Sequence, residues 1–219
     1  MATLIVVSGP NGAGKTTLIN NCRKQLKQLG YQIIIPDDII SSSDTPISDA
    51  VAACIKNKTN TVFETPLQFD ELAQQVEKFV HSGYHTILLQ LFLENAESSA
   101  LRVKQRAAKG GRDIVAAEIR TNFRGNYETI IKYHHLFHQS YFIEASNSKN
   151  PITAEFHKSM LTFYYPVHSV YIRDVLYEIS IKAKENKQSL SILKNNKLFG
   201  ELSYKKMEKA LRVMFRLKK

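Results

Sequence analysis

Positions 9–16 carry the residues with the clearest chemistry in the chain, Gly-Pro-Asn-Gly-Ala-Gly-Lys-Thr. They match the pattern G-x-x-x-x-G-K-[ST], in which glycines let successive backbone N–H groups point at an anion. The helix N-terminus that follows adds a partial positive charge. A tight glycine turn is the alternative, but it leaves the Lys-Thr pair unexplained. We therefore predict ATP binding by Gly9, Pro10, Asn11, Gly12, Ala13, Gly14, Lys15, Thr16 and Thr17.

Two side chains of this loop have predicted chemical roles. The Lys15 ammonium reaches the β- and γ-phosphate oxygens, which makes it a catalytic candidate. The Thr16 hydroxyl is a candidate ligand for a magnesium ion that bridges those oxygens. The loop by itself does not identify the acceptor, because kinases, GTPases, ATPases and motor domains share it.

Acidic residues follow three of the apolar segments that we predict to be strands, at the sheet edge where ligands bind. Asp37 is the predicted general base for an acceptor hydroxyl, and the alternative is a cap on the turn after Pro36. Glu64, with Thr65, is a candidate for holding substrate hydroxyls; the alternative is a solvated loop carboxylate. Glu94 fits a charge at a helix N-terminus better than a ligand.

Arginines in the middle of the chain are candidates to stabilise a transferring phosphoryl group, whose negative charge spreads over its equatorial oxygens. Arg120 and Arg124 lie one helical turn apart and are the predicted catalytic pair. For Arg102 and Arg106, an ordinary solvated helix face is an equally good interpretation. The glycines at 110–111 are a candidate hinge for a closing lid.

Strands alternate with helices five times, which predicts an α/β P-loop NTPase with a doubly wound, mostly parallel five-stranded sheet. We place the core at residues 1–148, with a lid around 110–126, and a mainly helical, basic C-terminal extension at 149–219. A helix is predicted at 115–138, with a possible break near Gly125. The predicted strands are 3–8, 31–35, 61–63, 86–92 and 141–143, with a hairpin at 190–193 and 198–202.

The net charge of +10 is unevenly distributed along the chain. Residues 182–219 hold 12 basic and 3 acidic residues and so carry a net charge of +9. The last helical pattern puts basic side chains beside an apolar stripe, which fits a nucleic acid, an anionic membrane or an acidic protein as partner. A docked helix with a basic outer face is the favoured alternative. The basic residues concerned are Lys205, Lys206, Lys209, Arg212, Arg216, Lys218 and Lys219.

The N-terminal residues lack the basic region and the small-residue cleavage site of a signal peptide. The N-terminal apolar run reads as a strand and not as a signal peptide, and no apolar stretch has the length of a membrane span. We expect a cytoplasmic protein, with export by a system that reads no such signal left open.

His134, His135 and His138 are interpreted as helix-surface histidines, since they lack companions at metal-ligand spacing.

Six motifs in order resemble the zeta toxin family of P-loop kinases, especially its short stand-alone members. The likeness covers about residues 3–148. Beyond the phosphate loop each motif is weak alone, but the ordered set is fairly specific. The motifs are GPNGAGKTT at 9–17, IPDDI at 35–39, FETPL at 63–67, GYHTILLQLFL at 83–93, RVKQRAAKGGRDIV at 102–115 and EIRTNFRGNY at 118–127.

The resemblance implies a kinase that uses ATP and magnesium to phosphorylate a sugar hydroxyl of UDP-N-acetylglucosamine or a related nucleotide sugar, and a possible antitoxin partner. It places Asp37 on the family's catalytic aspartate, Glu64 and Thr65 on its substrate-binding strand end, and its lid arginines in the region of Arg120 and Arg124. Two other hypotheses stay open. One is a kinase for another acceptor, such as a nucleotide, a polynucleotide end or an antibiotic. The other is a nucleotide-gated nucleic-acid-binding protein.

The sequence departs from the family pattern at several positions. Pro66 and Gln68 interrupt the usual ETTLS, and Arg112 replaces the histidine of GGH. Asn122 occupies the position of the arginine that directly precedes the lid aromatic residue, so Arg120 or Arg124 must take its role. The usual DNS after the fifth strand is replaced by Glu-Ala-Ser at 144–146. These differences bear on the substrate more than on phosphoryl transfer.

Overall fold

A computed structural model of the chain describes residues 1–36, 46–146, 151–157, 160–163, 170–185 and 191–194. The predicted base Asp37 and the predicted basic residues from Lys205 onward lie outside these ranges. The strands within them are β1 (Thr3–Ser8), β2 (Gln32–Ile34), β3 (Thr61–Glu64), β4 (His85–Phe92), β5 (Gln139–Glu144), β6 (Ile152–His157), β7 (Met160–Phe163) and β8 (Ser191–Lys194).

The helices connect these strands in the alternating order that the sequence predicts. None of the described helices is long and apolar enough to cross a membrane. The helices are α1 (Lys15–Gln28), α2 (Ile47–Lys56), α3 (Asp70–His81), α4 (Ala96–Ala107), α5 (Ala116–Tyr133) and α6 (Val170–Glu185), with a 3₁₀ turn at His134–Leu136.

The described strands form one sheet in the order β2-β3-β1-β4-β5-β6-β7-β8. The first five are parallel, and the phosphate-loop strand β1 lies between β3 and β4. Four of the six residues of β1 are Leu-Ile-Val-Val at 4–7, all with 2% exposure or less, as expected of a parallel strand covered on both faces. Because carboxyl ends of parallel strands share one edge, the ends of β1 and β3 are adjacent.

The helices pack against the sheet with apolar faces. Leu18, Ile19 and Leu26 of α1 are buried, at the spacing of one helical face. The next helices contact one another, α3 with α5, α5 with α4, and α5 with α6. They bury aromatic side chains such as Phe79 and Tyr127 in the same core as the strands. The α/β fold class is thus confirmed.

The sheet is wider than the five strands that the sequence predicts. Strand β6 pairs antiparallel with β5, β7 pairs antiparallel with β6, and β8 runs parallel to β7. The expectation of a mainly helical segment after residue 148 is therefore wrong for Ile152–His157 and Met160–Phe163. The predicted hairpin partner of residues 190–193 at 198–202 lies outside the described residues, and the observed partner of β8 is β7. Added strands satisfy the backbone groups that β5 would otherwise expose at the edge.

Histidine 134 is buried, which corrects its assignment to the helix surface. Its ring meets Phe156 edge-on with centroids 4.6 Å apart and stacks on Phe142 at 6.0 Å. Burial, and to a lesser degree the charge of His135, lowers the pKa of His134 to about 3. His135 and His138 are exposed, as predicted. Across the described part of the chain, no group of three or more His, Cys, Asp or Glu side chains is arranged to hold a metal ion.

The buried histidine gives stability a pH dependence. The pKa of His134 is about 6.5 in the unfolded chain and about 3 in the folded chain. Between these values the unfolded chain binds a proton that the folded chain does not, so the free energy of unfolding decreases as the pH is lowered. From pH 7 to pH 5 the loss from this group is roughly 2 kcal/mol. Urea unfolding at both pH values is expected to show that loss reduced in His134→Phe and retained in the exposed control His135→Phe. Equal losses in the two variants would contradict the assignment.

Candidate active site

The phosphate loop joins the end of β1 to the start of α1. Gly12 and Gly14 have φ of 73° and 93°, a left-handed conformation that other residues rarely adopt. At Gly9 a Cβ would stand 2.6 Å from the Leu91 carbonyl oxygen, so no side chain fits there. No side chain caps the N-terminus of α1, and its first turn holds no acidic residue. The loop therefore offers its N–H groups and the positive end of the helix to an anion.

The ammonium of Lys15 lies against the loop. Its Nζ donates hydrogen bonds to the carbonyl oxygens of Gly9 at 2.9 Å and Pro10 at 3.1 Å. Gly9 and Pro10 do not themselves line the cavity in front of the loop, whereas residues 11–18 do. The predicted cluster of ATP-binding residues thus divides into a lining part and a part whose carbonyls hold the lysine.

Thr16 and Glu64 meet at the junction of the loop with the neighbouring strand. Glu64 is the last residue of β3, and both of its carboxylate oxygens accept from the Thr16 hydroxyl, at 3.0 and 2.9 Å. Glu64 is only 8% exposed, which corrects the alternative of a solvated loop carboxylate. A hydroxyl and a carboxylate side by side are ligands that Mg²⁺ prefers, so this pair fits the metal expected with a nucleotide.

A cavity of about 1030 Å³ opens in front of the loop. It is lined by loop residues, by the ends of the central strands, by one face each of α4 and α5, and by the segment between these two helices. Among the described residues of the lining, basic side chains outnumber carboxylates, which suits a ligand with several phosphate groups. The charged lining residues are Lys15, Arg102, Arg106, Lys109, Arg112, Glu64 and Glu118.

Helix α4 braces the phosphate loop from the side. Ser99 donates from Oγ to the carbonyl oxygen of Asn11 at 2.6 Å. Arg102 donates to the carbonyl oxygens of Gly12 at 3.4 Å and Ala145 at 2.6 Å, so it links the loop to the residue after β5. The helix lies so close that a Cβ on Gly12 would stand 2.9 Å from the Cβ of Arg102. Sequence analysis missed Ser99, since nothing in its spacing marks it.

Arg106 holds the segment that follows α4. Its Nη2 donates to the carbonyl oxygen of Arg112 at 2.9 Å. Gly110, in the turn after the helix, has a φ of 86°, and a Cβ on Gly111 would stand 2.6 Å from the Arg106 side chain. The glycine pair therefore lets the chain fold back over Arg106. Its predicted role as a hinge stays a prediction.

The predicted pair Arg120 and Arg124 lies on the other side of α5 from the cavity. Glu118 and Asn122 of this helix line the cavity, and a residue two positions further along a helix points about 200° away. Arg120 and Arg124 are exposed accordingly, and Arg124 forms an ion pair with Glu128 at 2.6 Å. Of the arginines that the structure describes, Arg102, Arg106 and Arg112 line the cavity.

Two further candidates have structural contacts. Thr65 is fully buried, does not line the cavity, and accepts on its hydroxyl from the Leu67 N–H at 3.1 Å. Glu94 is exposed, as expected of a solvated charge, while Asn95 caps α4 by accepting from the Ser98 N–H at 2.8 Å.

No family model and no curated protein matches the sequence. Among solved structures, a chain from the PezAT chromosomal toxin–antitoxin system of Streptococcus pneumoniae superposes with a TM-score of 0.52 at 16% identity, covering 100% of this chain and 88% of that one. At these identities a structural likeness shows the fold alone. The chain therefore shares the fold of that toxin–antitoxin structure. The resemblance that the motifs indicate is thereby confirmed as a resemblance of fold.

A second structure agrees with this result. The AvrRxo1-ORF1:-ORF2 complex superposes with a TM-score of 0.55 at 14% identity, over 82% of this chain and 64% of the matched chain. This chain therefore spans less than two thirds of that relative. We therefore infer the activity, substrate and partner of this protein from the residues of its own site.

Proposed function

We propose that the protein is a kinase that transfers the γ-phosphoryl group of ATP to a hydroxyl of a small molecule, with a nucleotide sugar of the UDP-N-acetylglucosamine type as the acceptor. The observation that carries the proposal is the contact of Thr16 with Glu64 beside Lys15, in a cavity lined by basic side chains. The loop N–H groups and Lys15 bind the phosphates. Thr16 and Glu64 would hold the magnesium ion, which when bound neutralises charge on the phosphate oxygens.

Asp37 is the proposed general base. The residue before it in the sequence, Pro36, lines the cavity, and this supports the proposal. In the step that we propose, the acceptor oxygen forms a bond to the γ-phosphorus, the bond from that phosphorus to the bridging oxygen breaks, ADP leaves, and the hydroxyl proton passes to the Asp37 carboxylate. A cytoplasmic setting, where ATP is supplied, is part of the proposal.

In this proposal, arginines of α4 stabilise the transferring phosphoryl group, the role that the sequence predicts for Arg120 and Arg124 of α5. Arg102 and Arg106 are four residues apart on one face of α4, and both line the cavity. Each guanidinium has five N–H donors, so the bonds to backbone carbonyls leave donors for phosphate oxygens. Asn122, at the family's arginine position, lines the same cavity from α5 without a charge.

The acceptor assay tests the proposed reaction. The protein is incubated with ATP, magnesium and a panel of nucleotide sugars, nucleotides, oligonucleotide ends and aminoglycosides, and mass spectrometry detects the gain of one phosphate. We expect product with a nucleotide sugar, and a rate about 10²–10⁴ lower for Asp37→Asn. Asp49→Asn, which alters an exposed carboxylate of α2, is the matched control.

Two results would count against this reading. Equal rates for wild type and Asp37→Asn would remove Asp37 as the base. Turnover of another class of acceptor alone would replace the nucleotide sugar while leaving the kinase in place.

The basic C-terminal region supports a second, separate proposal. Its net charge of +9 over residues 182–219 suits an anionic partner, either nucleic acid or a membrane surface, or an acidic antitoxin-like protein. If the protein turns over no acceptor and binds nucleic acid in a salt-sensitive way that deletion of residues 203–219 abolishes, a nucleotide-gated binding protein is the better description.

A further inference from the structure

A buried polar cluster lies behind the cavity, and the reaction proposed above does not use it. Its centre is Asn126 of α5, which has no exposed surface. Gln90 of β4, also fully buried, donates from Nε2 to the Asn126 Oδ1 at 2.7 Å. The Asn126 Nδ2 donates to the Ser8 Oγ at 3.1 Å and to the Pro66 carbonyl oxygen. Buried amides are costly unless they are satisfied, and both polar atoms of the Asn126 amide have partners, so Asn126 fixes the parts that it joins.

The parts joined are the two halves of the site. Ser8 is the last residue of β1, directly before the phosphate loop. Pro66 follows Glu64 by two residues and, with Gln68, lines the cavity. The Pro66 carbonyl fixes the orientation of the Asn126 amide, because a carbonyl oxygen can only accept and therefore faces the nitrogen, which leaves the Asn126 oxygen for Gln90. One side chain thus ties the segment after β3 to the start of the loop.

The same segment is held closely by the residue before Asn126. A Cβ on Gly125 would stand 2.6 Å from the Gln68 carbonyl oxygen, so α5 touches the segment backbone to backbone. This contact, and not a helix break, accounts for the glycine, since α5 runs unbroken from Ala116 to Tyr133. Leu67, which lies between Pro66 and Gln68, is buried and has a φ of 42°, a conformation that leucine rarely adopts by itself. The segment therefore depends on contacts from outside to keep its shape.

We propose that Asn126 is a positioning residue that fixes residues 65–69 against the phosphate loop and thereby sets the acceptor side of the cavity. The expected change in the KM for the acceptor rests on the proposed function, whereas the expected change in hydrogen exchange does not. Asn126 does not line the cavity, so it acts through Pro66 and Gln68.

The structural test is hydrogen exchange followed by mass spectrometry in three variants. Asn126→Leu removes the hydrogen bonds, Asn126→Asp keeps the shape but loses the Nδ2 donor, and Gly125→Ala pushes on the Gln68 carbonyl. We expect about tenfold faster exchange at the amides of residue 65 and residues 67–69, with unchanged exchange in the core of α3. Thr129→Val, a buried change on the same helix outside the cluster, is the matched control.

The kinetic test separates positioning from general loss of structure. With UDP-N-acetylglucosamine as the acceptor, we expect the KM for the acceptor to rise about tenfold in Asn126→Asp while the KM for ATP stays within about twofold. Exchange at residues 65–69 that matches the Thr129→Val control would overturn the proposal, and so would parallel increases in both KM values. If wild type phosphorylates no acceptor, the proposed function fails, and hydrogen exchange alone decides the role of Asn126.

Discussion

Replacing Lys15 by methionine is expected to lower phosphoryl transfer by on the order of 10²- to 10³-fold, the usual cost of removing one group that stabilises charge in a transition state. The physical reason is that the ammonium sits at the loop, bonded to the carbonyls of Gly9 and Pro10, where it meets the terminal phosphates. Steady-state rates with ATP, magnesium and the best acceptor of the panel measure the effect.

Lys24→Met is the control for that loss. Lys24 lies on the same helix, is exposed and does not line the cavity, so its removal tests the general effect of one lost charge. We expect wild-type turnover for this variant. Similar losses for both variants would mean that net charge, and not the position of Lys15, matters.

Alanine at Arg102 or Arg106 is expected to lower transfer by on the order of 10³-fold, the lower range for an arginine that stabilises a phosphoryl transition state. Both side chains line the cavity from α4. Alanine at Arg120 or Arg124 is expected to leave the rate within about twofold, because exposed charges outside a site contribute little. The four variants are compared by kcat with ATP and acceptor saturating, and their folding is checked by thermal unfolding.

This comparison decides between two interpretations of the same chain. The sequence alone favours Arg120 and Arg124, whereas the cavity lining favours Arg102 and Arg106. A large loss in Arg120→Ala with wild-type rates in Arg102→Ala and Arg106→Ala would return the catalytic role to α5.

The phosphate loop was predictable because its chemistry is local. Eight consecutive residues define the turn, the lysine and the threonine, and the flanking strand and helix follow from their apolar patterns. Glu64 was predictable as a site residue because strand ends of a parallel sheet share one edge. Its contact with Thr16 was not, since it depends on β3 being the direct neighbour of β1.

The arginines that line the cavity could not be identified from the sequence. Arg102, Arg106, Arg120 and Arg124 have the same helical spacing in two pairs, and spacing says nothing about which face of a helix meets the cavity. Asn122 and Asn126 are buried on one side of α5, and Arg120 and Arg124 are exposed on the other. That rotation is a property of tertiary packing.

The extra strands escaped prediction for a different reason. Ile152–His157 alternates apolar Ile152, Ala154 and Phe156 with polar residues, a period of two that is typical of a strand but short, and Met160–Phe163 has only four residues. Their stability as strands comes from the neighbour, because β5 offers β6 an edge of unpaired backbone groups. The burial of His134 is of the same kind, since Phe156 of β6 covers its ring.

The most direct test of the central claim is a calorimetric titration of the protein with a non-hydrolysable ATP analogue, once with magnesium and once with EDTA. The account predicts one site per chain, tighter binding with magnesium, loss of binding in Lys15→Met, and loss of only the magnesium-dependent part in Glu64→Gln. Absence of binding to wild type, or equal affinity for wild type and Lys15→Met, would contradict it.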